Sequence, residues 1–74
     1  MTAKQFGRSV NTERMRQGMT LAKLAKLSGT TEANIRHIEA RGQEPGVMLA
    51  DRILEGLGLR LVLGRVNSKR RLGA

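Results

Sequence analysis

The sequence predicts a mainly α fold of four to five helices, and three observations predict it. Apolar residues recur at steps of three and four through most of the chain, each stretch opening on Ser or Thr or Pro and closing on Gly. Phe6 is the only aromatic residue, so the core must come from Leu, Ile, Val, Met and Ala, which suits packed helices better than a sandwich or barrel. Finally, 74 residues allow one domain with a small core, because a chain this short buries only ~60% of its unfolded surface.

A first helix is expected from about Phe6 or Ser9 to Gln17, with Phe6, Val10 and Arg14 on one stripe and Gly18 ending it. Residues 1 to 5 are polar and are expected to fray, and Glu13 and Arg16 lie off the stripe, toward water. Thr20 caps a second helix through its hydroxyl, and Leu21, Leu24, Ala25 and Leu27 repeat at helical spacing until Ser28 and Gly29 break it. Thr31, or Thr30 beside it, caps a third. There Ile35 and Ile38 are three residues apart and point the same way, toward the core.

With those isoleucines inward, Ala33, Arg36, His37 and Ala40 fall on the opposite side of the third helix, flanked by Glu32, Asn34 and Arg41. Two readings fit this face. A small residue beside hydrogen-bonding side chains lets a helix enter a DNA major groove closely and read base edges. The plainer reading is a solvated face on which Glu32 and Arg36 form an i,i+4 ion pair.

The run from Ala40 to Gly46 has the composition of a loop, with Gly42 suited to a left-handed cap and Pro45 to the start of the next helix. From Gly46 to Gly56 that helix carries Val47, Ala50, Ile53 and Leu54 inward, with Leu57 after it, and leaves Asp51, Arg52 and Glu55 to water. Met15, Met19 and Met48 read as core or staple residues. Beyond them Leu57, Leu59, Leu61 and Leu63 alternate with Gly58, Arg60, Val62 and Gly64, the two-residue period of a strand. A lone strand leaves its backbone groups unpaired, so about 58 to 64 is expected to pair with the same strand of a second copy, with Leu57, Leu59, Leu61, Val62 and Leu63 as dimer contacts.

Charge points to the partner. The chain carries 14 Lys plus Arg against 6 Asp plus Glu, a net +8, which favours a polyanion. Arg65, Lys69, Arg70 and Arg71 place four of those cations in the last ten residues with no acid, so 65 to 74 reads as a basic tail and 1 to 64 as the domain. That tail is either a solubilising end or a binding arm. The absence of cysteine excludes disulfides, thiolate metal sites and a Cys nucleophile, and suits a reducing cytoplasm. One histidine leaves no His-rich metal site, and Ser28, His37 and Asp51 lack any nucleophile-elbow sequence, so neither a cofactor nor catalysis is expected. No apolar run is long enough to span a membrane.

The central stretch resembles the helix-turn-helix of the Cro/C1-type (XRE) repressors, in which Gly18, Met19, Thr20, Leu24, Ala25, Gly29, Thr31, Ile35, Ile38 and Glu39 all fall in register. The resemblance implies a lambda-repressor-like DNA-binding domain, with the third helix as reader of a double-stranded operator. It implies a structural ion pair between Arg14 and Glu39. It also lays the loop carrying Arg41 and Gln43 along the DNA backbone, where surface polarity alone is the other reading. Leu21 stands where the family often has a phosphate-contacting Gln, leaving the backbone amides at that helix N-terminus as the anion contact. The ending, LGLRLVL, is similar to the C-terminal segment of HipB-type antitoxins, which implies an alternative role as an autorepressor that also binds a kinase-like toxin. The expected function is therefore a homodimeric transcriptional repressor whose DNA contacts are Thr20, Thr31, Glu32, Ala33, Asn34, Arg36, His37, Arg41 and Gln43.

Overall fold

A computed structural model of the chain describes residues 1–59, and these form four helices: α1 Ala3–Arg16, α2 Leu21–Ser28, α3 Glu32–Arg41 and α4 Val47–Gly56. α2 packs against both α3 and α4, and α1 packs against α3. Val10, Leu24, Ala25, Ile35, Ile38, Ile53 and Leu57 form the buried core, with Phe6, Met19, Leu21 and Leu49 partly buried around it. One residue or more from every helix therefore meets in a single apolar centre, as the spacing predicts.

The first helix starts earlier than expected. Thr2 accepts the backbone N–H of Gln5 at 3.1 Å, and the Gln5 side chain accepts the backbone N–H of Thr2 at 2.9 Å, a reciprocal capping box that orders residues expected to fray. Toward the other end Arg16 and Gln17 both donate to the Glu13 carboxylate, and Gln17 Nε2 also reaches the Leu57 carbonyl at 2.7 Å, tying the end of α1 to the end of α4.

The Arg16 hydrogen bond first, and that of Gln17 second, hold the Glu13 carboxyl down at about 2 from an ordinary value of 4.5. A folded-state value below the unfolded one contributes stability that is complete above 4.5 and lost as pH falls toward 2. Glu13→Gln should therefore flatten that part of the stability-against-pH curve by slightly lowering stability above pH 4.5 while leaving it unchanged near pH 2, as thermal melts at neutral pH and across these limits will show.

The turn between α2 and α3 is built on Gly29, whose φ of 71° is the left-handed conformation that residues with a Cβ rarely adopt. Its N–H donates to the Lys26 carbonyl and that of Thr30 to the Ala25 carbonyl, which closes α2 and redirects the chain within two residues. Ser28 is fully buried and returns its hydroxyl to the Leu24 carbonyl at 2.7 Å. Arg52, expected to face only water, donates from Nε to the Ser28 carbonyl at 3.0 Å and so fastens α4 to the end of α2.

Several apolar residues lie elsewhere than expected. Val47 and Met48 are 79% and 75% exposed because Gly46 caps α4 immediately before them, placing both in a first turn that runs clear of the core. Met15 is on the outer side of α1 and Leu27 is half exposed, so of the three methionines expected inside only Met19 packs against the core. Leu57 is 3% exposed within its own chain, which fulfils its place behind α4. Among the described residues there is no strand. Gly58 and Leu59, expected to begin one, instead close α4, with the Leu59 N–H on the Leu54 carbonyl at 2.7 Å. The rest of the expected strand, with Leu61, Val62 and Leu63, and the basic tail lie outside the described residues.

Candidate nucleic-acid interface

The two threonines placed at helix starts are caps. Thr20 accepts the Lys23 N–H at 3.0 Å and Thr31 accepts the Asn34 N–H at 3.1 Å, satisfying otherwise orphaned donors at the starts of α2 and α3. Both hydroxyls therefore belong first to the architecture that aims α3, and Thr31 rather than Thr30 holds the cap.

Beyond the cap, α3 buries Ile35 and Ile38 completely and turns Glu32, Ala33, Arg36, Ala40 and Arg41 outward, with His37 half-buried between. Arg36 Nη2 lies 3.4 Å from Glu32 Oε2, both side chains about half exposed, so the pair is loose, screened by solvent, and easily exchanged for another partner. Both readings of this face, an ion pair and a presented surface, thus describe the same residues. The Arg41 side chain makes no ion pair or hydrogen bond with any other described residue.

Asn34 and Gln43 are brought together. Gln43 Nε2 donates to Asn34 Oδ1 at 2.9 Å, and Asn34 Nδ2 donates to Thr30 Oγ1 at 2.8 Å, so one amide side chain joins the turn before α3 to the loop after it. Thr30 is a member of this group that sequence reasoning did not place there.

Behind the face lies the Arg14–Glu39 pair. Arg14 Nε donates to Glu39 Oε2 at 2.8 Å and Nη2 to Oε1 at 3.0 Å, in two-pronged geometry. Arg14 Nη1 donates to the Met19 carbonyl at 2.7 Å, and Asn11 Nδ2 adds a further bond to Glu39 Oε1 at 2.8 Å. The side chains are only 10% and 5% exposed. Hydrogen bonding to Glu39 raises the Arg14 pKa above its ordinary value against the opposing effect of burial, with the charge of Glu39 adding to the rise. Arg14 thereby binds α1, the segment leading to α2, and α3 into one unit.

Two residues that build this unit escaped the sequence reading. Asn11 sits three residues before Arg14 on the same helical side, a spacing that could have signalled it. Gly7 lets α1 approach α3 so closely that a Cβ there would overlap the Ile38 carbonyl oxygen, with its carbon at 3.0 Å and Glu39 Cα at 3.4 Å. An isolated glycine inside a helical pattern is the available signal for such an approach.

Two helices joined at a left-handed glycine, the second capped, anchored from behind and outwardly polar, define the helix-turn-helix class of DNA-binding domains. The Helix-turn-helix family model matches residues 10–63, well over half of the chain, and the chain belongs to that family in its XRE type. This is a family of DNA-binding domains and not an enzymatic one. No curated protein and no solved structure matches the chain closely.

Proposed function

We propose that the chain is a sequence-specific transcriptional repressor that binds a palindromic operator as a homodimer. The observation that carries this reading is the outer face of α3, where small Ala33 and Ala40 alternate with Arg36 and His37 above a buried ionic anchor. Short side chains let the helix approach base edges, and the two longer ones supply hydrogen-bond donors for them. In this reading Ala33, Arg36 and His37 read bases, while Arg41 and Gln43 on the adjoining loop meet phosphates. Two copies are part of it, since recognition helices must enter successive major grooves ~34 Å apart. The antitoxin alternative rests on residues 57 to 63, of which only Leu57, Gly58 and Leu59 are described, and Leu57 is inside the core. The regulator reading is supported by the family match, which is to DNA-binding domains.

Selection of bound duplexes from a random pool tests the proposal, because an enriched palindrome gives half-site sequence, spacing and symmetry together. Failure to enrich any palindrome would reject it. On the enriched site, Arg36→Ala and His37→Ala should each cost ~1–3 kcal/mol of binding if each reads a base, with little change in thermal stability. Equal losses on every sequence would move these residues to the phosphates.

A further inference from the structure

We infer that Lys4 and Arg8 of α1 form a second DNA-contacting element, a phosphate-binding strip beside α3; this rests on the reading of the chain as a DNA-binding regulator. The strip is fixed by how α1 crosses the end of α3. Gly7, Asn11 and Arg14 all meet α3 residues, and Lys4, three residues before Gly7, continues that side of α1 toward the loop. There the Lys4 stem lies against Gly42: a Cβ on Gly42 would stand 3.2, 3.3 and 3.4 Å from Lys4 Cα, Cβ and Cγ. The stem packs on the backbone of the residue between Arg41 and Gln43, so the ammonium group extends from the same loop edge that the proposed function gives to phosphates. Arg8 stands one helical turn on, exposed and on the outer flank of the same side.

The charge distribution selects the ligand class. Neither Lys4 nor Arg8 forms an ion pair with a described residue, and the one acid of α1, Glu13, is already held by Arg16 and Gln17. Of the carboxylates without a cationic partner among the described residues, Glu44 lies in the loop, and Asp51 and Glu55 lie on the exposed side of α4, which packs on α2. One flank of the α1–α3 pair therefore presents unneutralised cations, and the acids that could neutralise them sit mostly on another helix. Such a flank beside a groove-entering helix suits the duplex backbone, and its contribution is independent of base sequence. A packed lysine stem also loses less freedom on binding than a free one.

The test is a salt titration of operator binding and of binding to a random-sequence duplex, with the full chain and its Lys4→Gln/Arg8→Gln variant. The slope of log K against log salt should fall in magnitude by ~0.9 for every phosphate that a chain no longer neutralises, equally on both duplexes, so that the preference for operator is unchanged. A companion variant that adds Asp51→Asn and Glu55→Gln restores the net charge on α4, and the slope should remain reduced. An unchanged slope in the first variant, or recovery in the second, would overturn the strip, the latter by showing an effect of net charge alone. Loss of operator preference with an unchanged slope would also overturn it. These failures leave operator binding by the unsubstituted chain intact, whereas absence of any duplex binding by that chain would reject the proposed function itself. Because both residues are exposed, melts of the variants should coincide with that of the parent.

Discussion

Gly7→Ala is expected to destabilise the domain by ~3 kcal/mol although alanine is the better helix former. In the interior of an isolated helix the substitution would gain about 1 kcal/mol. Here the added methyl would fall on the Ile38 carbonyl oxygen, with Ile38 C and Glu39 Cα also within 3.4 Å. All three are backbone atoms of α3, so no rotamer change can relieve the overlap. α1 must move away, and the movement strains the bonds that Asn11 and Arg14 make to Glu39 and opens the layer between Val10 and Ile38. For a domain of this size each kcal/mol is worth roughly 4–8 °C in Tm, so the melt should fall by more than about ten degrees, a large part of the stability of so small a core. An unchanged or raised Tm for Gly7→Ala would show that the helices do not approach this closely in solution.

The contrast between Gly7 and Gly29 indicates what the sequence made legible. Gly29 stands between two capped apolar repeats, where local chemistry alone demands a left-handed residue, and the turn was readable without any tertiary information. The need for Gly7 arises only once α3 is beside α1, through contact with Ile38 and Glu39 far along the chain. Ile35 and Ile38 were readable because their shared face has one apolar side and no competitor. Met15, Val47 and Met48 were not, because an apolar residue at the edge of a stripe has the same spacing whether or not another helix covers it. Arg14 and Glu39 illustrate a third case: their pairing came from the family pattern, and only the structure adds Asn11 and the Met19 carbonyl. At the N-terminus, Thr2 and Gln5 carried a capping-box spacing that their polarity concealed.

That ion pair yields the second large effect. Glu39→Ala is expected to cost ~3–5 kcal/mol, because it removes three hydrogen bonds and leaves the nearly buried Arg14 guanidinium with only the Met19 carbonyl and Asn11 Nδ2 without its acceptor. Arg14→Ala should cost a similar amount for the opposite reason, since the Glu39 carboxylate, 5% exposed, would keep one neutral donor from Asn11. The pair as a whole is a different matter. Desolvation of both charges offsets much of their attraction, so replacing them together by Met and Leu should cost far less than the sum of the two single changes. A double-mutant cycle in denaturant melts on those same replacements, Arg14→Met and Glu39→Leu singly and together, should thus give a coupling energy that is most of the sum of the two single losses. Its functional consequence is separable from stability. In the apolar double variant α3 loses the two-pronged anchor that sets its orientation on α1, so operator affinity should fall while the melt remains close to the parent's. Single variants that add up without coupling would show that Arg14 and Glu39 are independently solvated in solution. A double variant that binds DNA normally would assign the pair to stability alone, leaving the capping threonines and the close approach at Gly7 to orient α3.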